Sequence, residues 1–189
     1  IELPKELDNM MKDMTRGDIS SQLIRFSIPL VLGNLFQLTY NAVDSIGVGR
    51  FAGEEALAAV GTAGPVMNIV ILGITGICIG ASVLMSEFFG AGNHEKLKKE
   101  VATTLLFGCY FSLAIVILGL FFSGGIIRLL RVPEEITEDA TVYLRLILIG
   151  MPFTFFYNGV ASALRSVGDS RTPVRFLAVA SVLNAILDL

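Results

Sequence analysis

Charge is scarce in this 189-residue sequence: Asp, Glu, Lys and Arg make up 16% of it, against roughly 25% in soluble domains. An ordinary soluble domain is thereby disfavoured. The net charge is only −3 and no block of Lys or Arg forms a binding tail, so no nucleic-acid partner is expected. Cysteine is limited to Cys78 and Cys109, both inside apolar runs. They read as small buried hydrophobes without a redox or metal role. Histidine occurs once, at His94, within a polar Gly-Ala-Gly-Asn-His-Glu connector that reads as solvated loop. HExxH, GxSxG, P-loop and paired-Cys patterns are all missing. Neither catalysis nor a structural metal is supported, and the chain is read as a non-enzyme without a resident cofactor. Residues 1–15 are charged and mixed, with none of the layout of a cleaved signal peptide. The sequence opens on Ile1 and stops at Leu189 inside an apolar segment, so the protein is expected to continue past both ends.

What is abundant is apolar. Hydrophobic residues make up 53% of the chain, the mean hydropathy is +0.72, and the 19 glycines suit close-packed membrane helices. A helix crossing a bilayer needs about 20 mainly apolar residues. Uncharged stretches at 26–43 (extended by 44–49), 66–86, 101–123 and 146–164 qualify, and a fifth begins at Phe176. The polar connectors fall at 50–55, 90–100, 128–139 and 165–175. The expected fold is therefore all-α, a polytopic transmembrane helical bundle. Its divisions are a cytoplasmic amino-terminal segment at 1–20 and a bundle at 21–189, cut within the fifth helix.

Alternating crossings place Lys5, Lys12, Arg16, Arg25, Lys96, Lys98, Lys99, Arg165, Arg171 and Arg175 on one side. Arg50, Arg128, Arg131 and Arg145 fall on the other, beside Glu134, Glu135, Glu138 and Asp139. The positive-inside rule puts the amino terminus in the cytoplasm of a multi-pass protein of the cell membrane. Pro133 suits the first turn of the fourth helix, with acids near the positive end of its dipole.

Helices that merely anchor have little use for amides and acids. Asn34, Gln37, Asn41 and Asp44 lie within about 80° of arc on the first helix, forming one polar stripe. The fourth helix carries Thr154, Tyr157, Asn158 and Ser162, and the fifth carries Ser181, Asn184 and Asp188. Intramembrane acids such as Asp44 and Asp188 usually face a cavity or a partner. A wet cavity between helices explains all three stripes. Interhelical hydrogen bonding alone would account for Asn158 or Ser181, but less readily for two carboxylates. Gly73, Gly76 and Gly80, with small-xxx-small spacing at Gly76 and Gly80, are read as helix-packing positions. Pro29, Pro65 and Pro152 lie in or near the spans, where each removes a backbone donor.

The chain resembles the first part of a MATE (multidrug and toxic compound extrusion) transporter. The matching residues are Ile28-Pro29-Leu30, Tyr40-Asn41-Ala42-Val43-Asp44-Ser45, Gly90-Ala91-Gly92-Asn93, Val132-Pro133-Glu134-Glu135 and Tyr143-Leu144-Arg145. They continue with Leu164-Arg165-Ser166-Val167-Gly168-Asp169-Ser170-Arg171-Thr172-Pro173 and Leu183-Asn184-Ala185-Ile186-Leu187-Asp188. The Arg-x-x-Gly-Asp-x-Arg-Thr-Pro loop is the most specific of them, and Glu87 departs from the pattern where Gln is more usual. The resemblance implies helices 1–5 of a six-helix amino-terminal lobe, with a second lobe across a cleft. It implies export of small cationic or amphipathic compounds in exchange for protons or sodium ions. Asp44 corresponds to the family's ion-coupling acid, Asn184 and Asp188 to its fifth-helix pair, and Gln37 and Tyr40 line the same cavity, which Asn158 joins. Pro29 matches the proline at which the first helix bends. In a sodium-coupled version Asp44, Asn184 and Asp188 would hold the ion. A lipid-linked-precursor flippase is the alternative, but it would need basic residues in its cavity and the spans here have none. An intramembrane enzyme or a plain scaffold fits less well.

Overall fold

The computed structural model describes residues 18–187, without the side chains of Ile19, Tyr40, Asp44, Phe51, Ala52, Ala185 and Leu187. Segment 1–17 and Asp188 lie outside the described residues. Five α-helices follow one another: α1 (Ile19–Gly47), α2 (Gly53–Gly90), α3 (His94–Leu129), α4 (Glu134–Ser166) and α5 (Arg171–Leu187). A π-helical turn at Val48–Ala52 links α1 to α2. This is an all-α membrane bundle. Three helices, α2, α3 and α4, are long and apolar enough to cross a bilayer. Large apolar side chains stand on its outside, with Phe121 82% and Phe153 78% exposed. Such surface is stable against lipid and not against water.

The helices run past the uncharged stretches that the sequence marks. With 38, 36 and 33 residues, α2, α3 and α4 are about 57, 54 and 50 Å long, against a hydrocarbon core of about 30 Å. The expected connectors at 90–100, 128–139 and 165–175 shrink to the few residues between helices. His94 accordingly opens α3 rather than sitting in a loop, although it is exposed. The physical reason is that charged residues mark where lipid ends, not where a helix must end.

Three helix ends close in the same way. Asn93 N–H donates to the Phe88 carbonyl at 2.8 Å and Gly92 N–H to that of Phe89 at 3.0 Å. Val132 and Arg131 repeat this on Ile127 and Arg128, and Asp169 and Gly168 repeat it on Leu164 and Arg165. Each is a Schellman closure, which needs a left-handed residue. Gly92 (φ 69°) and Gly168 (φ 87°) supply it freely, whereas Arg131 (φ 53°) does so against its Cβ. The residue after each glycine then starts the next helix. Asn93 Oδ1 accepts from Lys96 N–H, and Asp169 Oδ1 from Arg171 and Thr172 N–H. Asp18 caps α1 through Ser21 N–H.

The helices divide between two compact units. One holds Asp44–Cys78 and Thr103–Gly159, and its core is a row on α4: Ala140, Leu144, Leu148, Met151 and Phe155. Ala59, Ala63, Ile74 and Cys78 of α2 and Ile127 of α3 meet that row. The α3 face is lined with small residues, namely Thr104, Gly108, Ser112 and Ser123, all buried. A Cβ on Gly108 would sit inside the Phe155 ring, and one on Gly119 would strike Leu148. Glycine notches thus receive the large ridges of α4. Two expectations are corrected here. A Cβ added to Gly73, Gly76 or Gly80 would meet nothing within 4 Å, because their spacing puts them on the outer face of α2. Cys109 is exposed, unlike buried Cys78, because it follows Gly108 and so faces away from α4.

Two outcomes follow for thermal unfolding in detergent. Gly108→Ala should destabilise by about 3 kcal/mol, the upper part of the overpacking range, and Phe155→Leu in that background should recover part of it. An unchanged midpoint would contradict the notch. Arg131→Gly should stabilise by about 1 kcal/mol, since it relieves a left-handed residue at the expense of some chain entropy.

Candidate functional site

The other unit comprises the described parts of Ile1–Val43, Ile79–Ala102 and Val160–Leu189. It gathers the first part of α1, the end of α2, the start of α3, the end of α4 and α5. In a bundle whose helices alternate in direction, α1 and α5 run parallel. The two pack at Gly33, which is buried. A Cβ there would lie 3.1 Å from Val174 Cγ2 and 3.8 Å from Leu177 Cδ2.

That contact fixes which faces meet. On α5, residues 174, 177, 181 and 184 lie within about 80° of arc, so the Ser181–Asn184 stripe continues the face that touches α1. On α1, positions 33, 37 and 40 lie within about 60°. Gln37 stands four residues beyond Gly33, and Ser181 four beyond Leu177. Position 40 stands seven beyond Gly33, and Asn184 seven beyond Leu177. In parallel helices these pairs climb at matching heights.

Side chains along the stripes differ in how they are satisfied. Ser181 Oγ donates to the Leu177 carbonyl at 2.9 Å. The Asn184 carboxamide oxygen is buried and, among the described residues, accepts no hydrogen bond. An orphaned acceptor of this kind costs about 1–3 kcal/mol, so it is a feature in need of a donor or a cation. On α1, Asn34, Gln37 and Asn41 are exposed and Pro29 is half-buried within the helix. Asn41 has a polar partner. Tyr40 and Asp44 belong to α1, but their side chains, like Asp188 entirely, lie outside the described set.

The α4 stripe is bonded along its own helix. Thr154 Oγ1 donates to the Gly150 carbonyl at 3.4 Å, and Asn158 Nδ2 to that of Thr154 at 2.8 Å. Ser162 is buried and accepts from Arg165 Nη2 at 3.1 Å. Spacing alone gave no sign of this pair, nor of Arg145 Nε donating to buried Ser123 at 2.7 Å. Gly33 was equally hidden, since a single glycine in an apolar run carries no signal until its neighbour is known.

The MatE family pattern matches residues 29–189. The chain is 33% identical over 175 residues to the "Probable multidrug resistance protein YpnP" of Bacillus subtilis, covering 93% of this chain and 39% of that protein. It is 27% identical over 181 residues to the "FAD transporter" of Shewanella oneidensis, covering 94% of this chain and 40% of that one. A solved structure from Pyrococcus furiosus, described as a MOP superfamily transporter whose reversed pocket polarity "suggests different function", superimposes with a TM-score of 0.86 at 31% identity. It covers 92% of this chain and 38% of that one. The chain thus spans about two-fifths of the length of these relatives. With the family pattern running through all but its first turns, this multi-pass membrane chain belongs to the MatE family, the multidrug and toxic compound extrusion transporters.

Proposed function

We propose that the whole protein is a secondary active antiporter, exporting cationic or amphipathic compounds in exchange for inward protons or sodium ions. The observation that carries this reading is the orphaned Asn184 oxygen on the α1–α5 seam. Continuing the register along both helices, Asp44 stands eleven residues beyond Gly33 and Asp188 eleven beyond Leu177. The two carboxylates and the unsatisfied amide oxygen are the groups that would hold a single small cation, either a proton shared by the acids or a sodium ion held by oxygens.

The cycle follows from charge. With the site empty, Asp44 and Asp188 attract a cationic cargo into the cavity lined by Asn34, Gln37, Tyr40, Asn41 and Asn158. Entry of the ion neutralises the pair and weakens its hold on the cargo. Bending of α1 at Pro29, where a backbone donor is missing, closes the cavity. The ion leaves inward and the cycle resets. The remaining wall would be a second lobe, for which the longer relatives have the length.

Orientation is read from the basic residues. Arg25, Lys96, Lys98, Lys99, Arg165, Arg171 and Arg175 fall in one unit, and Arg50, Arg128, Arg131 and Arg145 in the other. By the positive-inside rule the first, more numerous set lies on the cytoplasmic side, with the amino terminus. The rival reading, a flippase for a lipid-linked anionic precursor, would want cations on the stripes, and the stripes carry amides and acids instead.

Reconstituted full-length protein should export a cationic dye under a pH or a sodium gradient, and Asp44→Asn should lower that rate at least about a hundredfold, as loss of a coupling charge implies. Wild-type efflux in the variant would remove Asp44 from coupling. No efflux of any cationic dye under either gradient would favour the flippase. Separately, Asn184→Leu should raise the ion-free stability of the full-length protein by about 1–3 kcal/mol, because it removes the orphaned acceptor. The variant should also lose the stabilisation that the coupling ion gives wild type. Melting curves taken with and without the ion test both halves.

A further inference from the structure

A second buried orphan lies at the other end of α5. Asp169 is 9% exposed, and its Oδ2 is buried without a donor among the described residues. Its Oδ1 is occupied, accepting from Arg171 N–H and Thr172 N–H at 3.0 Å each. Four residues earlier Arg165 is half-buried, with its Nη2 on the neutral hydroxyl of Ser162 at 3.1 Å. It makes no ion pair among the described residues. The Schellman closure folds Asp169 back on the turn that carries Arg165, with Asp169 N–H on the Leu164 carbonyl and Gly168 N–H on the Arg165 carbonyl. A guanidinium and a carboxylate oxygen therefore stand within one side chain's reach, and among the described residues neither has the ion pair that the other offers. The turn between them is made by Gly168, at φ 87°.

We propose that Arg165 is a two-position latch: it holds Ser162 in the conformation seen here and swings to Asp169 Oδ2 when α5 moves against the end of α4. The pieces on either side suit that role. Ser162 belongs to the polar stripe of α4, and Asp169 grips the first two free amides of α5. Moving the guanidinium from one to the other transfers its hold from the cavity helix to the helix that carries Asn184. Arg171, the other nearby cation, is exposed and donates to Asp169 through its backbone. The latch rests on the reading that the protein alternates between conformations, and not on which ion or cargo it carries.

The test uses full-length protein in nanodiscs, cysteine-free except for spin labels at the exposed positions Lys98 and Arg175. Pulsed electron resonance should give two distance populations. Ser162→Ala should shift their ratio about tenfold towards the Asp169-held form. Asp169→Asn, which keeps the cap because Asn serves there as well as Asp, should shift it about tenfold the other way. In an Arg165→Ala background both substitutions should become silent. Shifts in the same direction, no shift, or shifts that persist without Arg165 would overturn the latch. If Asp169→Asn does not fold, Ser162→Ala with and without Arg165 decides the matter alone. Distances that shift as expected in a protein without antiport would leave the latch standing and sink the transport reading instead.

Discussion

A bilayer interior has no water to satisfy the backbone, and most of this structure follows from that. Every N–H and C=O at depth must bond within its own helix. The helices are therefore long, and their ends are closed by tight, repeated devices rather than by loops. The two Gly-Asx junctions, Gly92-Asn93 and Gly168-Asp169, each end one helix and cap the next within a few residues. The hydroxyls obey the same rule. Thr39, Thr62, Ser86, Thr141 and Ser181 each donate to the carbonyl four residues back, so their polar groups are settled without leaving the helix.

Against that background the unsettled groups are informative. Lipid-facing helices gain little from apolar contact with one another, so their association depends on close fit. Gly108, Gly119 and Gly33 provide it by admitting Phe155, Leu148 and Val174. The Gly33 seam in turn sets the height of the α1 and α5 stripes. An amide oxygen left without a donor on that seam is expensive where dielectric is low. If that seam is the proposed ion site, such a group has a purpose, because full internal satisfaction would leave nothing for the ion to do.

Much of the fold was legible, and the reasons differ by element. Among the described helices, α1 and α5, also expected to span, fall short by length or hydropathy. The spans of α2, α3 and α4 could be read because apolar length is set directly by bilayer thickness. Their ends could not, since α2 and α3 stay helical through Glu87 and Lys96 after lipid has ended. The Gly76–Gly80 spacing was misleading: a small residue marks a contact only when a neighbour faces it, and the pattern does not say which face is covered. Cys109 misled for the same reason. The stripes were visible as periodicity, but their pairing needed Gly33, whose role exists only in three dimensions. The Arg165–Asp169 loop was recognisable as a motif, yet the orphaned oxygen depends on a turn geometry that letters do not carry. Asp44 and Asp188 were the strongest sequence signals, and their side chains lie outside the described set.

The proposed transport function needs the stripe positions to be wet. Single cysteines at Asn34, Gln37, Asn158 and Asn184 in the full-length, otherwise cysteine-free protein can be timed against a membrane-impermeant thiol reagent. Leu118 and Phe121 on the exposed face of α3 serve as lipid-facing references. In a cation exporter the stripe positions should react much faster than the references, and be protected when a cationic substrate is added. Stripe positions that react as slowly as Leu118 and Phe121 would mean that the amides serve packing, and that no cavity is there.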